Sequence, residues 1–154
     1  MTKMIPALCL SIFCFSILFT SCKKDEPVIE LTNADLILGT WSMTAATIDP
    51  PQFTTGDDYY ATLSDCEKDN SFTYEEGTTM KIDEGATKCN ANTLQTQVGT
   101  YAFNPAETIL STNINGEELS MDIIEMSNSE MITSRKETSN NQEVTLTFTY
   151  TKQE

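Results

Sequence analysis

Histidine is absent from this 154-residue chain, and basic side chains are scarce, 9 Lys and Arg against 23 Asp and Glu. Without an imidazole there is no Ser-His-Asp or Cys-His catalysis and no His-ligated zinc or haem. A formal net charge of −14 repels phosphate backbones, which excludes nucleic-acid binding as a main activity. Apolar residues make up a low 39%, enough for one core, and the length is that of a single domain. Long apolar runs are missing too, apart from Met4–Phe19, which follows the lone charge of Lys3. At about 15 residues this run is short for a membrane span, which takes about 20, and fits a secretory leader over residues 1–21.

The leader breaks at Phe19, Thr20, Ser21 and Cys22. That quartet resembles a bacterial lipobox, with Phe19 where the pattern has Leu, and the resemblance implies that Cys22 is acylated, with palmitate-like chains, and becomes the mature N-terminus. The competing readings, an uncleaved anchor or a cysteine that merely follows a cleavage elsewhere, would leave a reactive thiol in an oxidising compartment. At about 0.8 kcal/mol per buried methylene, two or more acyl chains make a stable anchor. Lys23, Lys24, Asp25, Glu26 and Pro27 follow, similar to a short signal for transfer to the outer leaflet of the outer membrane. Residues 22–35 otherwise read as a polar linker.

Loss of the leader removes only Lys3 from the charge count, so the mature chain is more acidic still. It keeps three cysteines, and with Cys22 acylated, Cys66 and Cys89 have one natural pairing. A disulfide is the default for such a pair in an oxidising periplasm. From residue 36 to residue 154 the apolar period is two. Val144, Leu146, Phe148 and Tyr150 alternate with Thr145, Thr147, Thr149 and Thr151, which sorts one apolar and one hydroxyl-bearing face of a strand.

Further strands are expected over Thr40–Ile48 (Trp41, Met43 and Ala45 on one face), Ser71–Glu75, Thr78–Asp83, Val98–Phe103, Thr108–Ile114, Leu119–Met126 and Glu130–Lys136. In Leu119–Met126 the phase changes after Ile123, which predicts a bulge. Asn115–Gly116 is a tight-hairpin signal. Eight sequential antiparallel strands close most naturally into an all-β up-and-down barrel. The one expected helix, Asp57–Asp65, has Tyr59, Tyr60 and Leu63 at helical spacing and would sit near one barrel end as a lid or plug.

Leu38, Gly39, Thr40 and Trp41 on the first strand resemble the Gly-x-Trp signature of lipocalins. The sequel of Cys66, Lys68, Asp69, Asn70, Phe72, Tyr74, Gly77, Thr78, Cys89, Gly99, Thr100 and Tyr101 is similar to lipocalin-like lipoproteins of Gram-negative bacteria over most of residues 36–151. The resemblance implies a barrel with Trp41 at its closed base and a basic residue against that ring, for which Arg135 and Lys152 are the candidates. Trp41 has a large ring to bury, and at Gly39 a side chain would obstruct strand crossing.

Inward phase selects Met43, Phe72, Tyr74, Tyr101, Phe103, Met121, Phe148 and Tyr150 as candidate ligand-binding residues, together with Met80, Leu119 and Leu146 as further inward positions. Such side chains either line an apolar pocket or fill the barrel, and filling is favoured because eight strands enclose little space. Asp57, Asp58, Asp65, Glu67 and Asp69 gather five carboxylates that could hold calcium, although the spacing fits no EF-hand and a solvated acidic surface outweighs that reading. Glu75 with Glu76 and Glu117 with Glu118 are adjacent on strands and face opposite ways, so neither pair can flank one glycosidic bond.

No enzyme, cofactor or metal is expected. The expected function is a lipid-anchored lipocalin-like protein at the outer membrane, facing the cell surface, with a small apolar or glycan-derived ligand. The alternative is a non-transporting interaction module, a subunit of an uptake complex or an inhibitor of a basic protein partner, steered by the acidic surface.

Overall fold

The computed structural model describes residues 30–54 and 56–154. The leader, Cys22 and the Lys23–Glu26 segment, and with them the expected acylation, lie outside the described residues. The strands are β1 (Gly39–Asp49), β2 (Ser71–Glu75), β3 (Thr79–Asp83), β4 (Thr96–Phe103), β5 (Ile109–Ile114), β6 (Glu117–Met126), β7 (Glu130–Ser139) and β8 (Gln142–Lys152). Each pairs antiparallel with the next, and β8 pairs back onto β1, closing the expected up-and-down barrel. The alternation in β8 does what the pattern requires: Val144, Leu146, Phe148 and Tyr150 are buried while the threonines between them face out. Burial of side chains of this size is worth about 1.5 to 3 kcal/mol each. Asn115 and Gly116 have φ of 55° and 88°, the left-handed pair that a two-residue hairpin needs.

Two bulges adjust the phase. The one in β6 falls between Ile123 and Glu125, where it was expected, and turns Ile124 out to solvent. The other, in β1 between Met43 and Ala45, was not expected. It corrects the inward set from Ala45 to Ala46 and Ile48, which are buried while Ala45 is exposed. An extra residue in one strand flips every later side chain to the opposite face.

Up-and-down topology puts the β2–β3, β4–β5 and β6–β7 turns at the end where β1 begins, and the other connections at the far rim. The β1 end is sealed. Helix α1 (Asn33–Leu36) starts in a capping box between Thr32 and Asp35 and docks on the β4–β5 turn through Asn33 Nδ2 to the Glu107 carbonyl at 2.8 Å. The boundary drawn between linker and barrel at residue 36 falls inside this helix. Beneath it Trp41 is fully buried, and its indole Nε1 donates to the Ile37 carbonyl at 2.7 Å. Lys152 settles the choice of basic partner: its Nζ lies 5.2 Å from the Trp41 ring and donates to the Leu36 carbonyl at 3.0 Å. Gly39, at φ 122°, leaves room for that lysine, because a Cβ would meet Lys152 Cε at 2.7 Å.

At the far rim the expected helix over Asp57–Asp65 does not form. β2 pairs with only Gly39–Ser42 of β1, so the upper half of β1 has a free edge. Asp57 and Asp58 take that edge: Ile48 N donates to the Asp57 carbonyl at 2.9 Å and Thr47 bridges Asp58. Backbone committed to a strand edge cannot also be helical. The chain then makes a 3-10 turn (Tyr60–Thr62) and a separate one-turn helix α2 (Asp65–Lys68), capped reciprocally by Ser64 and Glu67. Tyr59, whose ring is 6.5 Å from that of Phe148, and Tyr60 turn in against the core. The segment is a panel in the barrel wall rather than a lid over its mouth. Cys66 in α2 and Cys89 in the β3–β4 connection are joined by a disulfide with Cα atoms 5.2 Å apart.

Candidate functional site

The barrel interior holds a partly open cavity of about 210 Å3. It lies between the Trp41 base and the far rim, and strand alternation supplies its walls. β1 gives Met43, β2 gives Phe72 and Tyr74, β3 gives Met80 and Ile82, β5 gives Thr112, β6 gives Leu119 and Met121, β7 gives Arg135, and β8 gives Phe148 and Tyr150. Six of the eight expected ligand-binding residues therefore meet around one space. Tyr101 and Phe103 do not line it. Both point inward but lower down, where Tyr101 stands edge-on to Tyr74 at 5.2 Å and to Phe103 at 6.2 Å, and donates its hydroxyl to the Glu75 carbonyl. Phase gives the direction of a side chain and is silent about its height in the barrel.

Aromatic edges order the rest of the wall. Phe72 meets Tyr150 edge-on at 5.6 Å, and Phe148 touches both Tyr150 and Tyr59 at 6.5 Å. Burial raises the Tyr74 phenol well above the ordinary tyrosine value, with Tyr150 and Tyr101 adding to the effect. Burial likewise pushes Tyr150 up to about 12, against the opposing pull of the Arg135 charge and a hydrogen bond with Thr133. Both hydroxyls thus stay protonated and able to donate at physiological pH.

Arg135 is the charged group that the expected site omitted, and Thr112 is a polar wall residue it also lacked. Arg135 pairs across the ladder with inward-facing Leu146 and follows the buried Met131 and Thr133 at a spacing of two. That spacing was the available signal, while the family resemblance put Arg135 forward only as a partner for the Trp41 ring. Its guanidinium carbon lies 5.2 Å from the Phe148 ring centroid, and one terminal nitrogen reaches Glu137 Oε1 at 2.7 Å. The Nε atom is buried and has no hydrogen-bond partner.

The acidic cluster near the far rim does not assemble. Asp58 Oδ1 accepts from Ala61 N, Glu67 caps α2, and Asp69 Oδ2 accepts from Ala86 N and Thr87 N at 3.0 and 2.9 Å. Among the described residues no three His, Cys, Asp or Glu side chains come together as metal ligands. The Ser64 bonds hold the Glu67 carboxyl below its ordinary value. Of the paired carboxylates, Glu75 reaches sideways to Lys81 across the β2–β3 ladder.

An eight-stranded up-and-down barrel, plugged at one end by a tryptophan and hollow above it, is the architecture of the small-ligand-binding barrels. Residues 37–133 match the lipocalin-like domain family, and the chain belongs to it. Among solved structures it is similar to a lipocalin-like protein from Bacteroides uniformis, at 10% identity over 73% of this chain and 96% of that one, with a TM-score of 0.44. It is also similar to bovine odorant binding protein in complex with a selenium-containing odorant, at 9% identity over 84% of this chain and 77% of that one, with the same TM-score. No curated protein sequence matches it.

Proposed function

We propose that this protein is a lipid-anchored outer-membrane lipoprotein, displayed at the cell surface, whose barrel binds a small apolar ligand without chemical turnover. The observation that carries the reading is the cavity of about 210 Å3, walled by Met43, Phe72, Tyr74, Met121, Phe148 and Tyr150. An engineered cavity of about 150 Å3 lined by apolar groups takes up benzene, so this space suits a ring or a short hydrocarbon chain. A glycan fragment suits it less well, since the walls offer few groups to replace the hydration of many hydroxyls. The lipobox-like Phe19–Cys22 and the Lys23, Lys24, Asp25, Glu26 sequence support the anchor and its outward face.

Protein purified from native membranes should release a stoichiometric small molecule on denaturation, identified by mass spectrometry. Cys22→Ser should leave the barrel intact but move the protein from membrane to soluble or precursor fractions. Repeated recovery of no ligand, together with a salt-sensitive stoichiometric protein partner, would replace this reading with that of an interaction module. An acyl-labelled, membrane-bound Cys22→Ser product would remove the anchor.

A further inference from the structure

The cavity has a charged corner. Pairing between β6 and β7 runs from Asp122 with Ser134 to Met126 with Met131, which leaves Glu117–Met121 and Arg135–Ser139 outside that ladder. At this parting an outer groove of about 240 Å3, edged by Ser120, Asp122 and Lys136, comes up against the internal cavity. Met121 and Arg135 line both spaces. Resting on the reading of the cavity as a ligand site, we propose that the ligand is a small monocarboxylate amphiphile, its carboxylate on Arg135 where β6 and β7 part and its hydrocarbon tail in the cavity.

Several observations lead there. A guanidinium is an expensive wall for an apolar cavity, since a methionine of similar volume would fill the place without desolvating a charge. Glu137 occupies one terminal nitrogen, but Nε is buried and unpartnered, and a buried donor attached to a charge costs more than a neutral one. The guanidinium lies against the Phe148 ring, which helps to hold its donor fork in place at the cavity wall. A carboxylate is the planar acceptor that matches this fork. Volume sets the size, because a space of about 210 Å3 holds on the order of ten non-hydrogen atoms by comparison with the benzene-sized cavity. Charge sets the valence. Asp122 and Glu137 flank the corner and Lys136 is tied to Glu143, so a dianion would meet more repulsion than attraction.

The full-length protein in phosphatidylcholine nanodiscs, with empty nanodiscs as the partition blank, can be titrated calorimetrically with octanoate, octan-1-ol and octylamine. Carbonyl-labelled octanoate adds an NMR readout of the bound head group. Octanoate should bind at least about tenfold tighter than octanol, and octylamine weakest. Arg135→Met should weaken octanoate by about ten- to a hundredfold and leave octanol unchanged, while Arg135→Lys recovers part of the loss. Glu137→Gln should strengthen octanoate, because it removes the competing carboxylate. Octanol binding as well as octanoate, or indifference of octanoate to Arg135→Met with the barrel folded, overturns the head-group assignment and leaves the cavity reading standing. Binding of none of the three overturns both.

Discussion

Breaking the Cys66–Cys89 bridge should cost stability without moving the native structure. The bridge spans a sequence separation of 23 residues. In the chain-entropy account, a loop of that length removes about 11.4 cal/mol/K from the unfolded ensemble, or about 3.4 kcal/mol at 25 °C. The folded rim has its own ties between the same two connections, the bonds from Ala86 N and Thr87 N to Asp69, and α2 holds its own start through the reciprocal Ser64–Glu67 cap. The loss therefore falls on the unfolded side.

Urea titration of Cys66→Ser/Cys89→Ser, followed through the buried Trp41, should show a stability lower by about 2 to 4 kcal/mol and a melting temperature lower by on the order of 10 °C. The slope against urea should rise slightly, because the uncrosslinked chain exposes more surface. Native Trp41 emission should not change, and amide exchange should quicken first in the Asp57–Lys68 panel. A loss below about 1 kcal/mol with an unchanged slope would refute the entropic argument. A shifted native Trp41 spectrum would show instead that the bridge holds the barrel base in place.

Lys152→Met removes both the cation over Trp41 and the bond to the Leu36 carbonyl, and should cost about 1 to 2 kcal/mol by thermal unfolding; an unchanged midpoint would show the pair to be idle. Gly39→Ala should cost about 1 to 3 kcal/mol from its φ of 122° and the approach to Lys152 Cε. Only the steric part should vanish in a Lys152→Ala background, so a double-mutant cycle without coupling would disprove the contact. At alkaline pH the raised Tyr74 and Tyr150 keep protons that the unfolded chain has lost. Their contribution is complete below about pH 10 and is lost as pH rises through about 12 for Tyr150, by up to about 1.4 kcal/mol per pH unit per tyrosine. Phenolate absorbance should then appear for these two only with unfolding, and their early ionisation in folded protein would contradict the burial.

The barrel was legible because its sheet is half-buried: where one face meets the core and the other water, a period of two writes each strand into the sequence, most plainly in β8. Trp41 and the cysteine pair were legible for different reasons, as a unique large ring and as the thiols left over. The Asp57–Asp65 segment was misread because Tyr59 and Tyr60 turn inward to close a wall defect left by the short β2, and the shortness of one strand is not encoded in the residues opposite it. The β1 bulge was invisible since Thr44, Ala45 and Ala46 carry no strong polarity signal. Arg135 was in phase with Met131 and Thr133, yet it entered the reading only as a candidate for the Trp41 ring, and that omission from the ligand set fell where the site departs from a plain core.

The β1–β8 seam governs the order in which this molecule can become itself. Trp41 faces Lys152 across that seam, so the first strand to emerge during synthesis waits for the last, more than a hundred residues later. Strands β2 to β7 can zip as successive hairpins, each a local event, but no tube exists until β8 arrives. During that interval β1 offers an unpaired edge and β8's apolar stripe has no interior to enter, which is when association between chains competes with closure. Burial of the single tryptophan would then mark the moment of closure, and a chain stopped before Val144 should remain an open ribbon with its indole in water.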